Sequence, residues 1–219
     1  MTVGPAIALD ELELDALAEL VNIGVNRAAA SLRIMIKQEV VLSVPAVQVV
    51  TRAEAARIIG ERGPEKLVAV HQAFDGEISG RALLIFPETN SLELVRAVTG
   101  GELPLEDIIE LEQEALAETG NVILNGCLAT IANLLHRNLN VSLPEIIRGA
   151  GAELFNLANA SEDEDVALFL YIDFAVKERD IRGYIAMLMD LPALTSLKRL
   201  IGDLIARADN AAGSHAGAC

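Results

Sequence analysis

The sequence predicts a mixed α/β protein of the α+β type, with one pseudo-two-fold domain, an antiparallel-rich sheet and two long helices. The first observation is an internal duplication, because an acid–Glu–Asn–Pro pattern recurs 99 positions later with the same spacing. The two copies are Asp15, Glu19, Asn22 and Pro45, and Glu114, Glu118, Asn121 and Pro144. The second is that each half reads as helix, strand, helix, hairpin and helix. The third is the short connection Asp75-Gly76, because a tight hairpin joins antiparallel strands and excludes a purely parallel sheet.

The first half opens with a long helix from about Asp10 to about Lys37. Its acids lie early and its bases late, as the helix dipole prefers. Next come a Val-rich strand and a short helix opened by a capping box that begins at Thr51. The predicted elements after the first helix are the strand Val40–Val50, a helix ending near Gly60, the hairpin strands Leu67–Phe74 and Ile78–Phe86, and a helix closed by Gly100-Gly101.

The second half repeats that order. Its predicted elements are a long helix, a strand, a short helical or irregular stretch, two hairpin strands and a last helix: Leu111–Arg137, Val141–Ile147, Gly149–Ala160, Val166–Val176, Ile181–Met189 and Pro192–Ala208. We therefore expect one domain over residues 1–208, with a first repeat over about 10–106 and a second over about 107–208. The Ala- and Gly-rich residues 209–219 are expected to form a disordered tail.

Composition and charge exclude several classes of function. The net charge of −15 disfavours nucleic-acid binding, because phosphates require a basic surface. The longest apolar run, near residues 40–50, is too short for membrane insertion, and no signal peptide is visible, so a cytoplasmic location is expected. Cys127 and Cys219 cannot form a disulfide framework, and the three histidines lack partners at ligand spacing. We therefore expect neither a metal site nor a cofactor of the protein's own.

The repeated residues form a polar stripe on each long helix. With Asp15 at zero and about 100° per residue, Glu19 falls near +40° and Asn22 near −20°. The second helix repeats this arrangement with Glu114, Glu118 and Asn121. Apolar residues occupy most of the remaining circumference, so most of each helix must be buried. The stripe is then the face left for water or a partner.

A solvated stripe is common on amphipathic helices, and this ordinary interpretation has to be weighed first. Asn, however, costs roughly 0.5–0.7 kcal/mol relative to Ala inside a helix, yet it stands at the same step in both copies. A merely solvated stripe would use Lys, Glu or Gln at lower cost. The duplication also kept the acid–Glu–Asn pattern while much of the rest diverged. These two details favour a functional role for the stripe.

The stripe offers limited chemistry by itself. No Ser, Cys or His accompanies it in a nucleophile–base arrangement, and no Gly-rich loop precedes a helix at phosphate-binding spacing. The neighbouring acids Asp15 and Glu19 could act as an acid–base pair, although such helical neighbours are usually only solvated. An Asn carboxamide is neutral, donates and accepts, and can hold a water without repelling a phosphoryl group. The anionic Glu is better suited to a cation on a partner.

This pattern resembles the signature of the CheC/CheX/FliY family of response-regulator phosphatases. That signature is Asp or Ser, three residues, Glu, two residues, Asn, 22 residues and Pro. The first copy fits fully, whereas the second departs at its first position, where Glu114 replaces Asp or Ser. Two copies in one chain of this length are most similar to a two-site CheC. The resemblance covers roughly residues 10–208.

The resemblance implies hydrolysis of the aspartyl phosphate of a CheY-like response regulator. Asn22 and Asn121 would enter the regulator's active site and orient water, while Glu19 and Glu118 would pair with a regulator lysine. The Mg²⁺ would belong to the regulator. Asp15 and Glu114 would help docking, and the two prolines would mark where each strand turns. Members of the family also pair with the receptor deamidase CheD, so CheD is a further partner that the resemblance implies.

A second hypothesis is a CheC-like adaptor without useful catalysis. Such a protein would keep the stripes for contact alone and would dock a regulator, CheD or the flagellar switch. Turnover separates the two hypotheses, because an enzyme clears many equivalents of phosphorylated regulator.

Overall fold

The predicted mixed architecture, with helices packed on an antiparallel sheet, is confirmed. The structure, a computed structural model, describes residues 8–62, 66–98, 104–157, 166–176 and 179–216. Within these ranges the helices are α1 Glu11–Ile36, α2 Arg52–Arg62, α3 Glu88–Val98, α4 Leu105–Leu134, α5 Gly151–Leu157 and α6 Leu191–Ala216. The strands are β1 Val40–Thr51, β2 Leu67–Gly76, β3 Gly80–Pro87, β4 Leu139–Val141, β5 Glu145–Gly149, β6 Val166–Val176 and β7 Arg179–Met189.

Helix α1 has well-defined ends. At its start, the Asp10 carboxylate accepts a hydrogen bond from the Glu13 backbone N–H at 2.8 Å, and the Glu13 carboxylate accepts from the Asp10 N–H at 2.8 Å. This reciprocal capping box satisfies two donors that the first turn leaves free. At its end, Lys37 adopts a left-handed conformation with φ of 54°. These ends fix the helix that carries the first polar stripe.

The sheet interlocks the two repeats. Its strand order is β1-β6-β7-β3-β2-β4, with β5 also paired to β2, and every pairing between described strands is antiparallel. The first strand of the first repeat therefore pairs with the hairpin of the second repeat. In return, β4 and β5 of the second repeat pair with the hairpin of the first. One continuous sheet results from the duplication.

Helices cover both faces of this sheet. The larger core lies between the sheet and α1, α3, α4 and α6, and the smaller one lies under α2 and α5. Successive side chains of β2 point to opposite faces of the sheet and so contribute to both cores. Val68, Val70 and Phe74 belong to the larger core, whereas Leu67 and Ala69 belong to the smaller. The two helices that carry the stripes therefore share one layer.

Helix α4 is apolar enough to raise the question of a membrane span. Residues Leu111–Leu134 pass the length and composition test, and this segment is the one candidate found in the described part of the chain. In the fold, 56% of an 18-residue apolar window within this segment is buried. The helix packs against α1, α3 and β2. It is therefore a core helix of the protein.

Four predictions need correction. The connection predicted at Asp75-Gly76 lies inside β2, which continues to Gly76 and pairs there with β4, so the link to β3 falls at residues 77–79. The strand predicted over Val141–Ile147 is split into β4 and β5, because residues 142–144 leave the ladder. Helix α4 begins at Leu105 rather than Leu111, directly after Pro104. Helix α6 continues to Ala216, so residues 209–216 are helical rather than a disordered tail, because alanine is the best helix former. Residues 217–219 and the predicted Gly100-Gly101 helix end lie outside the described residues.

Candidate functional site

The stripe of the first repeat lies on the surface, as its helical spacing predicts. Asp15 and Glu19 are exposed and Asn22 is partly buried. Leu17, Leu20 and Val21 point into the larger core on the other side of the helix. The second repeat has the same design on α4.

In the second repeat Glu114 and Glu118 are exposed, and Asn121 is partly buried. Neither asparagine is enclosed by the core. Each can therefore reach a partner while one side of its carboxamide contacts the protein.

In the first repeat a β-bulge supplies that contact. The pairing of β1 with β6 shifts between Ser43 and Ala46, so the intervening Val44 and Pro45 have no partner in the ladder. Proline has no N–H to donate and is tolerated at such bulges. The N–H of Val44 leaves the ladder and donates to the Asn22 Oδ1 at 3.2 Å. The sequence-based expectation that the proline marks a strand irregularity agrees with the structure.

In the second repeat a strand break has the corresponding role. Between β4 and β5, residues 142–144 leave the ladder, and Pro144 is the last of them. The Ser142 carbonyl oxygen accepts a hydrogen bond from the Gln72 Nε2 at 2.9 Å. The same Nε2 donates to the Asn121 Oδ1 at 3.0 Å. In both repeats, 22 residues separate the Asn from the Pro, and this interval places a backbone group from outside the ladder near each asparagine. The Val44 N–H binds Asn22 directly, whereas the Ser142 carbonyl oxygen is linked to Asn121 through Gln72.

Asn121 has a second support within its own helix. The Asn125 Nδ2 donates to the Asn121 Oδ1 at 2.8 Å, so this oxygen accepts two hydrogen bonds. In the first repeat the residue at the same step, Asn26, is exposed, and Asn22 accepts one hydrogen bond from the described residues. Among the described residues, Asn121 therefore has more hydrogen-bond support than Asn22.

These contacts fix the orientation of both carboxamides. A backbone N–H is always a donor, so the atom of Asn22 that faces Val44 must be its oxygen. A backbone carbonyl is always an acceptor, so Gln72 presents its amide nitrogen to Ser142 and therefore to Asn121. In both repeats the oxygen faces inward, and the NH₂ group has no hydrogen-bond partner among the described residues. The outward-facing group is consequently a donor.

Gly120 brings α4 close enough for this contact. A Cβ added at Gly120 would lie 2.5 Å from the Cβ of Val70 on β2. The helix can therefore rest directly on the strand that carries Gln72, two positions beyond Val70. The first repeat has Val21 at the corresponding helical position, and Val21 is fully buried in the core.

The four exposed carboxylates of the stripes are unpaired. Among the described residues, no ion pair or internal hydrogen bond involves these four side chains, which are Asp15, Glu19, Glu114 and Glu118. Other acids on the same helices do have such partners. Glu13 lies 3.2 Å from Lys198 and Glu112 lies 3.0 Å from Arg148. Unpaired surface carboxylates are available to a cation brought by a partner.

An apolar surface adjoins the second stripe. A groove of about 380 Å³ runs between the end of α1 and the start of α4. Its lining residues are Met35, Ile36, Leu111, Glu114, Ala115, Glu118 and Thr119. In the strand break, Leu143 is 85% exposed, whereas Val44 at the matching position of the first repeat is 5% exposed. The second stripe therefore has apolar neighbours suited to a docked partner.

The described residues contain no cluster of metal-ligating side chains and no exposed free cysteine. No group of three or more His, Cys, Asp or Glu there could hold a metal ion. Burial raises the pKa of the Cys127 thiol to about 12, which keeps it protonated and unreactive.

Sequence reasoning missed three contributors to the second site. Gln72 is a polar residue in a mostly apolar strand, and Ser142 repeats Ser43 at the 99-residue offset. Neither signal says which helix the strand will face, because that depends on the exchange of strands between repeats. The role of Gly120 had no local signal, since a glycine inside a helix says nothing about the partner it allows to approach.

No family model matches the chain. In sequence it is similar to the flagellar motor switch phosphatase FliY of Bacillus subtilis (strain 168), with 23% identity over 202 residues, or 90% of this chain and 50% of FliY. It is also similar to the CheY-P phosphatase CheC of the same organism, with 25% identity over 142 residues, or 63% of this chain and 67% of CheC. The chain thus spans about half the length of FliY and two thirds of that of CheC.

In structure the chain is similar to Thermotoga maritima FliY, with a TM-score of 0.69 and 17% sequence identity, covering 90% of this chain and 100% of the other. The protein thus has a duplicated α+β fold with one polar stripe on each long helix, and this fold is similar to that of the Thermotoga maritima protein. The chain is therefore similar in sequence to FliY and CheC and in fold to FliY, which agrees with the resemblance to the CheC/CheX/FliY family seen in the sequence.

Proposed function

We propose that the protein is a phosphatase that hydrolyses the aspartyl phosphate of a CheY-like response regulator, in the cytoplasm where such regulators act. The observation that carries this proposal is the anchored carboxamide in each repeat, with its oxygen bound inward and its NH₂ group free. Two relatives whose names include a phosphatase activity support the same class of reaction. The catalytic residues in this proposal are Asn22 and Asn121, assisted by Glu19 and Glu118.

The proposed chemistry needs no covalent intermediate on this protein. The outward NH₂ of Asn22 or Asn121 donates to one lone pair of a water, and the other lone pair faces the phosphorus. Attack forms the new P–O bond as the bond between phosphorus and the regulator's aspartate oxygen breaks, which releases phosphate and a free carboxylate. Because the amide is neutral, it does not repel the phosphoryl oxygens. In phosphoryl transfer, positioning of this kind supplies much of the catalysis.

The carboxylates have a separate proposed role. Glu19 and Glu118 are exposed and unpaired among the described residues, so each can bind a lysine beside the regulator's phosphate without first breaking an internal ion pair. Removal of that lysine from the phosphate would also make room for water. Asp15 and Glu114, one turn earlier, extend the acidic surface for docking. The groove beside Glu114 and Glu118 then accepts apolar side chains of the regulator.

The test is the double substitution Asn22→Ala and Asn121→Ala. Phosphate release from the host's CheY-like regulators, each loaded with acetyl phosphate, should fall to the spontaneous rate. Circular dichroism should be unchanged, because both side chains are only partly buried and neither belongs to the apolar core. If the double variant still accelerates hydrolysis, the proposal is wrong.

The alternative is an adaptor that binds a regulator, CheD or the flagellar switch without turnover. The name of the FliY relative, a flagellar motor switch phosphatase, keeps this alternative open. A single equivalent of the protein should clear many equivalents of phosphorylated regulator if it is an enzyme. Clearance that stops at one equivalent would favour the adaptor.

A further inference from the structure

Gln72 is unusual for a residue of the sheet interior. Its exposed fraction is 0%, and it lies on β2 between core residues Val70 and Phe74 on the same face. Its Oε1 is buried and has no hydrogen-bond partner among the described residues. A buried carbonyl oxygen without a partner destabilises the fold, so an apolar residue would serve the core better. This cost in stability indicates that the amide nitrogen of Gln72 has a role that an apolar residue could not fill.

That other end makes two hydrogen bonds. The Gln72 Nε2 joins the Ser142 carbonyl oxygen at 2.9 Å to the Asn121 Oδ1 at 3.0 Å. Ser142 is itself held, because its N–H donates to the Ala73 carbonyl oxygen and its hydroxyl accepts from the Ala73 N–H, both at 2.9 Å. The chain of contacts runs from the rigid sheet to the carboxamide that the proposed function places in the reaction.

We infer that Gln72 is a positioning residue for Asn121, and that it makes the second site a preorganised one. This inference rests on the proposed phosphatase function. Gln72 touches neither the regulator nor water at the phosphate, and it acts through Asn121. By holding the oxygen inward, it keeps the NH₂ donors directed outward before a partner binds, so less side-chain freedom is lost on binding.

The first repeat has no equivalent of Gln72. Phe74 of β2 pairs with Val141, and Phe174 of β6 pairs with Leu42. Leu42 and Val141 are matching positions at the 99-residue offset, so β2 and β6 can be aligned position by position. The position that matches Gln72 is then Ile172, which has no side-chain donor. Asn22 relies on the Val44 N–H alone among the described residues. Loss of Gln72 should therefore affect one site and spare the other.

The main experiment isolates the sites in two backgrounds. Asn22→Ala leaves the second site, and Asn121→Ala leaves the first. We add Gln72→Met, which keeps the length and removes the donor, to each background. Steady-state hydrolysis of acetyl-phosphate-loaded CheY-like regulators then gives kcat and KM. Gln48→Met, on the exposed side of β1, is the matched control.

In the Asn22→Ala background we expect Gln72→Met to lower kcat by about three- to tenfold, the loss expected when one side chain must be ordered in each turnover. KM should change by less than about twofold, and the thermal midpoint should stay level or rise, because the unpaired oxygen is gone. In the Asn121→Ala background the substitution has no carboxamide to act on, so the rate should be unaltered. An unchanged kcat in the first background, or an equal fall in both, overturns the inference.

A second measurement does not depend on activity. The side-chain NH₂ group of Asn121 gives its own ¹⁵N–¹H signals, and its order parameter reports how firmly the carboxamide is held. Gln72→Met should lower that order parameter and leave the Asn22 signal unaffected. An unaffected Asn121 signal overturns the positioning role even if the protein is a phosphatase. If both single-site backgrounds hydrolyse only at the spontaneous rate, the proposed function fails, and the NMR result still decides how Asn121 is held.

Discussion

The two repeats present an acid, a Glu and an Asn in the same order, yet the structure supports them differently. In the first repeat, Asn22 accepts one hydrogen bond from the described residues, donated by a backbone N–H released by a bulge. In the second, Asn121 accepts two, from Gln72 and Asn125. The repeated spacing therefore keeps the same pattern of side chains at the surface, whereas the hydrogen bonds beneath it depend on the strand that packs against each helix.

The flanking surfaces differ as well. The second stripe adjoins a groove and the exposed Leu143, whereas the matching Val44 of the first repeat is buried. A partner that docks at the second stripe can therefore bury more apolar surface. If the proposed phosphatase function holds, both differences predict that the second repeat is the faster site.

The largest effect is expected from Gly120→Ala. The new Cβ would lie 2.5 Å from Val70, so α4 must move away from β2 and the bond between Gln72 and Asn121 must lengthen. Overpacking of this kind costs about 1–3 kcal/mol. Denaturant unfolding should show that loss, and activity measured in the Asn22→Ala background should fall.

Gly202 on α6 offers the control for Gly120, because a Cβ added there would meet nothing within 4 Å. Gly202→Ala should leave the stability unchanged or raise it by about 0.5–1 kcal/mol. If Gly120→Ala were as stable as Gly202→Ala, the close packing of α4 on β2 would be wrong.

An intermediate effect is expected from Leu143→Ser. This side chain is 85% exposed, so the free energy of unfolding should change by less than about 0.5 kcal/mol. If docking buries about half of it, affinity falls by about 1 kcal/mol, or roughly fivefold in KM. Steady-state kinetics in the Asn22→Ala background measures this change. Val41→Thr, a surface substitution on β1, should leave KM alone, and an equal KM for both variants would contradict apolar docking at the second site.

The smallest effect concerns pH. Burial lowers the pKa of His71 below 6.5, and Arg81 lowers it further, while Glu145 opposes the shift with 3.7 Å between Nδ1 and Oε2. As pH falls below 6.5 the unfolded chain takes up a proton before the folded one, so stability declines. Because His71 is next to Gln72, this loss weakens the strand that supports the second site.

His71→Phe removes that titration. Its free energy of unfolding should vary less between pH 8 and pH 5 than that of the wild type, and the difference between the two proteins isolates His71 from the carboxylates. Parallel pH profiles would show that His71 does not contribute.

Much of the fold followed from the sequence alone. The order of elements, the strand Val166–Val176 and the surface location of the stripes agree with the structure, because periodicity and capping are local signals. The strand break at 142–144 and the role of Gln72 could not be predicted. They depend on which strand of one repeat pairs with the other repeat, and that is a long-range property. Ser43 and Ser142 recur in the sequence, but only the pairing of β4 with β2 brings Ser142 to Gln72.

The most direct measurement compares the single variants Asn22→Ala and Asn121→Ala in phosphate release from the same phosphorylated regulator. With one immobilised side chain worth about 0.5–1.5 kcal/mol, the two sites should differ by roughly two- to tenfold. We expect Asn22→Ala to keep most of the wild-type rate and Asn121→Ala to lose most of it. The opposite order, or two equal losses, would contradict the claim that the better-anchored carboxamide is the better catalyst.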